Sequence, residues 1–102
     1  HCFAVDGYEK NILKEVGQLR CKATGRKVTV LSSQPAAVLY TGNWLAGGCP
    51  KTKSDKYYQD YAGVAIECQG FSDAVNHPDF PSIYLKADEL YCNKIVFKLE
   101  QF

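Results

Sequence analysis

The sequence predicts an α+β fold: one N-terminal helix packed on a twisted antiparallel β-sheet. Three observations predict it. An apolar stripe at helical spacing runs through the first twenty residues. Later segments alternate apolar and polar residues with a period of two. Cysteines stand near both ends, Cys2 and Cys92, where a bond would staple the first element to the last. In the chain-entropy view, closing a loop of that size stabilises by roughly 4–5 kcal/mol.

The helix is read over Asp6–Arg20. Asp6 can cap it, and Glu9 follows three residues later in a capping-box pattern. Tyr8, Ile12, Val16 and Leu19 recur at steps of four, four and three, and Leu13 widens that face. Gly17 is the weak point, and Arg20, Lys22 and Gly25 mark the end. Five strands follow. Val28 and Val30 alternate with Lys27 and Thr29. Pro35 interrupts, and Ala37–Thr41 forms the second strand. Tyr61–Cys68 is the third, Ser82–Lys86 the fourth and Ile95–Leu99 the last. Asn43–Asp60 and Gln69–Pro81 read as long loops, and loops of that length more often carry function.

Composition sets the class. The chain of 102 residues is expected to form a single domain, 1–102. Hydrophobic residues make up 46% and charged residues 23%, the balance of a chain with a packed core. A net charge of +1 exerts no global pull on nucleic acid or membrane, so a polyanion site would have to be local. No apolar run reaches the ~18 residues of a membrane span. The chain starts at His1 and contains no Met, which fits removal of a leader. Five cysteines point to an oxidising compartment. Their spacing contains no C-x-x-C pair and only two histidines accompany them, so no metal and no cofactor are expected. A second bond would draw on Cys21, Cys49 and Cys68, whose pairing stays open. A reduced cytosolic protein with scattered core cysteines is the weaker alternative.

Acid–base residues are scarce. His77 lies in the turn-forming Asn76-His77-Pro78-Asp79 and reads first as a solvated turn histidine. On paper it could pair with Glu67 or Glu89. Cys49 follows Gly47-Gly48, permissive for a loop thiol, but an odd cysteine is more often inert. Lys51, Lys53 and Lys56 run into Tyr57 and Tyr58. Lysines on phosphates and tyrosines under bases could hold single-stranded nucleic acid, against the plainer reading of a solvated loop. Trp44, the sole tryptophan, is either a core plug or an interface anchor.

Taken together, Cys2, Gly7, Tyr8, Ile12 and Cys92 resemble the pattern of the RNase-like secreted effectors of powdery-mildew fungi. The aromatic residue expected before the first cysteine is absent here, where His1 stands. The resemblance implies a scaffold similar to microbial guanyl-preferring ribonucleases of the T1/F1 type. Tyr57-Tyr58-Gln59-Asp60-Tyr61 resembles their aromatic–glutamate strand, with Gln59 in place of the carboxylate. A carboxamide cannot exchange a proton near neutral pH. The resemblance therefore implies a pseudo-ribonuclease with no catalytic residues. It implies a monomeric virulence or avirulence effector, secreted and delivered into plant cells, that binds a host protein or RNA and is recognised by an intracellular immune receptor. Two other readings stay open: an active ribonuclease using His77 and a carboxylate, and a disulfide-stapled β-sandwich effector.

Overall fold

The computed structural model describes residues 1–48 and 51–102. It is all-β, with two three-stranded antiparallel sheets. β1 (Cys2–Ala4), β4 (Ala36–Tyr40) and β5 (Ala65–Gln69) form one sheet in the order β1-β4-β5. β2 (Lys14–Cys21), β3 (Arg26–Ser32) and β6 (Ile95–Gln101) form the other in the order β2-β3-β6. Among the described residues a single 3-10 turn, Ala74–Asn76, follows β5.

The predicted N-terminal helix is absent, and with it the α+β ribonuclease-like fold. Gly7 and Asn11 both adopt left-handed backbone, with φ of 62° and 65°, which an α-helix does not accommodate. Two turns replace the helix, closed by Tyr8 N–H to Val5 O and Ile12 N–H to Glu9 O. Glu9 does not complete a capping box; its carboxylate takes the Lys14 ammonium at 2.6 Å. Residues 14–21 then run as β2 along β3. The register slips between Glu15 and Gly17, so Val16 sits at a bulge. The helical spacing of Tyr8, Ile12, Val16 and Leu19 thus arose from two turns and a bulged strand.

Four of the five expected strands are present, with shifted ends at β4, β5 and β6. Ser82–Lys86 is not a strand. Pro81 and Ser82 lead it along a cleft instead, where Ile83, Tyr84 and Leu85 form part of the wall.

The core follows the chain from β3 into β4. Ser32 to Ala37 is buried without interruption, and Val30 is fully buried. The buried stretch contains Ser32, Ser33 and Gln34, so its polar groups need partners. Ser32 Oγ accepts from Gln34 N–H at 3.0 Å. Ser33 N–H donates to Lys94 O, and Lys94 N–H donates to Ser33 Oγ. Pro35 O accepts from Val5 N–H at 2.9 Å. This satisfied junction links one sheet to the other.

Cys2, Cys21 and Cys92 are exposed free thiols, and Cys68 is a buried one. The expected Cys2–Cys92 staple is therefore not a feature of this structure. Main-chain pairing ties the ends instead: β1 lies against β4, β6 lies along all of β3, and Leu39 N–H donates to His1 O at 2.8 Å. Cys49 lies outside the described residues.

The polar face of the second sheet carries a titratable cluster. Lys27 Nζ lies 3.1 Å from Glu100 Oε2, and Thr29 Oγ1 donates to the same oxygen at 3.0 Å. Hydrogen bonds from Lys27 and then Thr29 hold the Glu100 carboxyl below its usual range. A depressed folded-state pKa contributes stability above the unfolded value of about 4.3, lost as pH falls through the folded one. A carboxyl-carbon NMR titration should place the Glu100 midpoint below that of an exposed glutamate. Thr29→Val should move it up, and an unmoved midpoint would discount the hydroxyl.

Candidate functional site

One cleft of about 600 Å³ opens where the two sheets meet. Its floor is the buried junction, Ser33, Gln34 and Pro35, together with Gly70, the residue after β5. Its walls come from the Tyr8–Asn11 turns and from the chain between Pro81 and Cys92, chiefly Tyr84, Leu90 and Tyr91. The lining mixes aromatic rings with carboxamide, hydroxyl and charged groups.

β5, which leads into the cleft-lining Gly70, carries the group with the clearest chemical capacity. Register places Glu67 opposite Val38, Gln69 opposite Ala36 and Ala65 opposite Tyr40. Opposed residues share a face, so Glu67, Gln69 and Tyr40 project from one side over the small side chains of Ala36 and Val38. Tyr40 is a diagonal neighbour of Glu67, roughly 7–8 Å away in such a ladder. Glu67 is exposed, while its neighbour Cys68 is buried and fixes the strand below it.

Comparison with the other carboxylates separates Glu67 from them. Glu9 is paired with Lys14, Asp55 with Lys51, and Glu100 with Lys27. Asp73 faces His77, Glu15 accepts from Gln18, Asp60 from Ala46 N–H, and Glu89 from Lys86 N–H. Glu67, Asp6, Asp79 and Asp88 have no such partner among the described residues. Of these four only Glu67 lies on a strand. An unpaired carboxylate on a rigid element can take a proton without first breaking a salt bridge.

The residues expected from sequence lie elsewhere. Trp44 is 81% exposed, so it is no core plug; its N–H donates to Tyr40 Oη at 3.2 Å. Lys51 pairs with Asp55 at 2.9 Å and stands 5.5 Å from the Tyr57 ring centre. Thr52 and Lys56 close a turn through Thr52 N–H to Lys56 O, and Lys53 rides on it exposed. Tyr58 is also exposed. These residues form one arm between β4 and β5 and none lines the cleft. His77 stacks on Phe80 with ring centres 4.8 Å apart, and its Nε2 lies 3.4 Å from Asp73 Oδ2. Its carboxylate partner is therefore Asp73, not Glu67 or Glu89. Among the described residues no group of three His, Cys, Asp or Glu side chains is placed to hold a metal ion.

The sequence did contain one signal for Glu67. An acid in the middle of a β-rich run is uncommon, and here Ile66 and Cys68 flank it on the opposite face. Gln34 and Tyr91 had no such signal, because only the fold brings them together.

Comparison with known proteins bears on this geometry. Residues 1–98 match the family model described as aldose 1-epimerase. The chain is 36% identical over 103 residues to galactose mutarotase of Rattus norvegicus and 38% identical over 103 residues to that of Bos taurus. Each alignment covers 94% of this chain and 30% of the relative. It is 31% identical over 102 residues to aldose 1-epimerase of Escherichia coli, covering 85% of this chain and 28% of that protein. The chain thus spans about a third of the length of the curated relatives it matches. These findings overturn the effector and pseudo-ribonuclease readings, the active ribonuclease among them, and the assignment as a non-enzyme. The host-protein, immune-receptor and RNA partners, and delivery into plant cells, rested on that resemblance.

Proposed function

The chain belongs to the aldose 1-epimerase family, and from that premise we propose that it supplies the proton-accepting carboxylate and part of the sugar cleft for interconverting the anomers of an aldose. The observation that supports this reading is Glu67, unpaired among the described residues, on β5, the strand whose next residue, Gly70, lines a polar and aromatic cleft.

The chemistry is a proton relay at a hemiacetal. The anomeric hydroxyl loses its proton as the ring oxygen gains one, and the bond between C1 and the ring oxygen breaks. The open aldehyde turns about its C1–C2 bond and closes on the other face, with both proton movements reversed. A carboxylate serves the first step as general base and the last as general acid, while a separate donor, water or a group on the remainder of the protein, gives the ring oxygen its proton and takes it back on closure. Glu67 takes this role. Gln69 and Gln34 offer donor and acceptor groups for the hydroxyls that do not react, and Tyr84 and Tyr91 offer flat faces for the sugar's C–H surface. The names of the relatives favour galactose as the substrate.

The experiment follows one anomer to equilibrium. Freshly dissolved α-D-galactose, monitored by polarimetry with the protein that carries this chain, should equilibrate faster than in buffer. The acceleration should scale with protein concentration. A rate equal to the buffer rate for galactose and glucose alike would refute the reading.

A further inference from the structure

The register around Glu67 gives it one rigid neighbour. On its face of the sheet lie Val38 opposite, Ala65 and Gln69 along β5, and Ala36 and Tyr40 on the diagonals. Ala36, Ala65 and Val38 are short and Gln69 is flexible, so Tyr40 is the only ring among them. Diagonal positions in such a ladder are still within reach of aromatic and long side chains.

The Tyr40 ring is held at its far end. Its Oη accepts the Trp44 main-chain N–H at 3.2 Å. A main-chain amide only donates, so the hydroxyl oxygen is the acceptor in this bond. Trp44 is itself fixed at the base of the arm. Gly42, with φ of 69°, passes so close to the returning chain that a Cβ there would lie 2.7 Å from Gly63 O. Tyr61 N–H donates to Gly42 O at 2.7 Å, and Ala46 N–H donates to Asp60 Oδ1 at 2.8 Å. These contacts lock the two legs of the arm together on both sides of Trp44.

We propose that Tyr40 is a positioning residue for Glu67: the base of the arm holds the Tyr40 ring through the Trp44 N–H, and the ring confines the Glu67 carboxylate to the rotamers that meet the anomeric hydroxyl. This rests on the reading of Glu67 as the base and adds the group that aims it. An exposed glutamate with no ion pair among the described residues has otherwise little to choose between its staggered rotamers. A reacting group about 1 Å out of place can cost roughly 10²-fold in rate.

Tyr40→Phe keeps the ring and removes its tether. It should lower kcat for galactose anomer exchange about tenfold and leave Kd for galactose within about twofold, because the carboxylate is misaligned while the cleft is intact. In a Glu67→Gln background the same change should have no further effect on rate, since no proton-accepting carboxylate remains to be aimed. A purely structural hydroxyl would instead lower the number of sugar-binding sites along with the rate, in both backgrounds alike. That result, or an unchanged kcat in the folded variant, overturns the proposal. Should Tyr40→Phe fail to fold, NMR couplings across Glu67 χ1 in the unaltered protein decide. One dominant rotamer is expected, and averaging over the staggered positions overturns the proposal. A Glu67→Gln protein that keeps its rate would instead remove the base on which the proposal rests. Absence of both sugar binding and anomer exchange in the unaltered protein would remove the epimerase reading itself.

Discussion

Glu67→Gln is expected to slow catalysed anomer exchange by about 10²- to 10⁴-fold, the range that a positioned acid–base group contributes. The substitution preserves size and hydrogen-bonding reach but removes proton exchange near neutral pH. Among the described residues Glu67 makes no ion pair that the change would break, so folding stability should hold within about 0.5 kcal/mol, as for other exposed sites. Sugar binding should persist for the same reason. Two measurements separate these effects: equilibration of α-D-galactose for the rate, and a titration of galactose for affinity. A variant that binds galactose but keeps the rate within a few-fold would move the base to another residue. Glu67→Asp offers a graded check, since it retains the carboxylate and withdraws it by one methylene. It should fall between the two.

The strands were legible because their signal is local. Val28 and Val30 against Lys27 and Thr29, and Ile95, Phe97 and Leu99 against Val96 and Lys98, alternate as any half-covered ladder must. The observed register keeps those sets on opposite faces. The first twenty residues misled for an equally local reason. Turns at Gly7 and Asn11 and a bulge at Val16 each displace the phase of the apolar residues, and the displacements add up to helical spacing. A two-residue period interrupted by a bulge cannot be distinguished from a helix by spacing alone. Gly17 was the available clue: it sits where the strand resumes after the bulge, opposite Val30.

The candidate site was legible only in fragments, because it is assembled from distant segments. Glu67 could be singled out as an acid within a β-rich run, but its freedom from partners depends on where every lysine falls. Lys14, Lys27 and Lys51 are each occupied by another acid. Gln34 and Tyr91 are 57 residues apart. The lysine–tyrosine loop drew attention by composition, yet its charges are spent partly within the arm, Lys51 on Asp55 and the Tyr57 ring. The resemblance drawn from Cys2 and Cys92 rested on two thiols that stand free. Two cysteines near the ends of a chain carry little information unless the fold also brings them within bonding reach.

The frame beneath the site depends most on Val30, and Val30→Asp is expected to abolish the cooperative fold. Val30 is fully buried in the middle of β3, the central strand of its sheet. Its cross-strand neighbours are Gly17 on β2 and Phe97 on β6. Gly17 has no side chain and Phe97 has no polar group, so neither can hydrogen-bond or neutralise a carboxylate placed between them. Leaving a buried charge uncompensated costs about 3–5 kcal/mol. Losing the apolar side chain costs about 2 kcal/mol more. Together these approach the whole stability of a domain, about 5–15 kcal/mol. Val30→Ala separates the two contributions: it should lose about 2 kcal/mol and still unfold in a single transition. Urea unfolding followed by far-UV circular dichroism gives both values. The effect should reach the cleft, because β3 runs directly into the buried Ser33–Pro35 floor. A Val30→Asp protein that unfolds at an unchanged urea midpoint would show that the β3–β4 spine does not carry the fold.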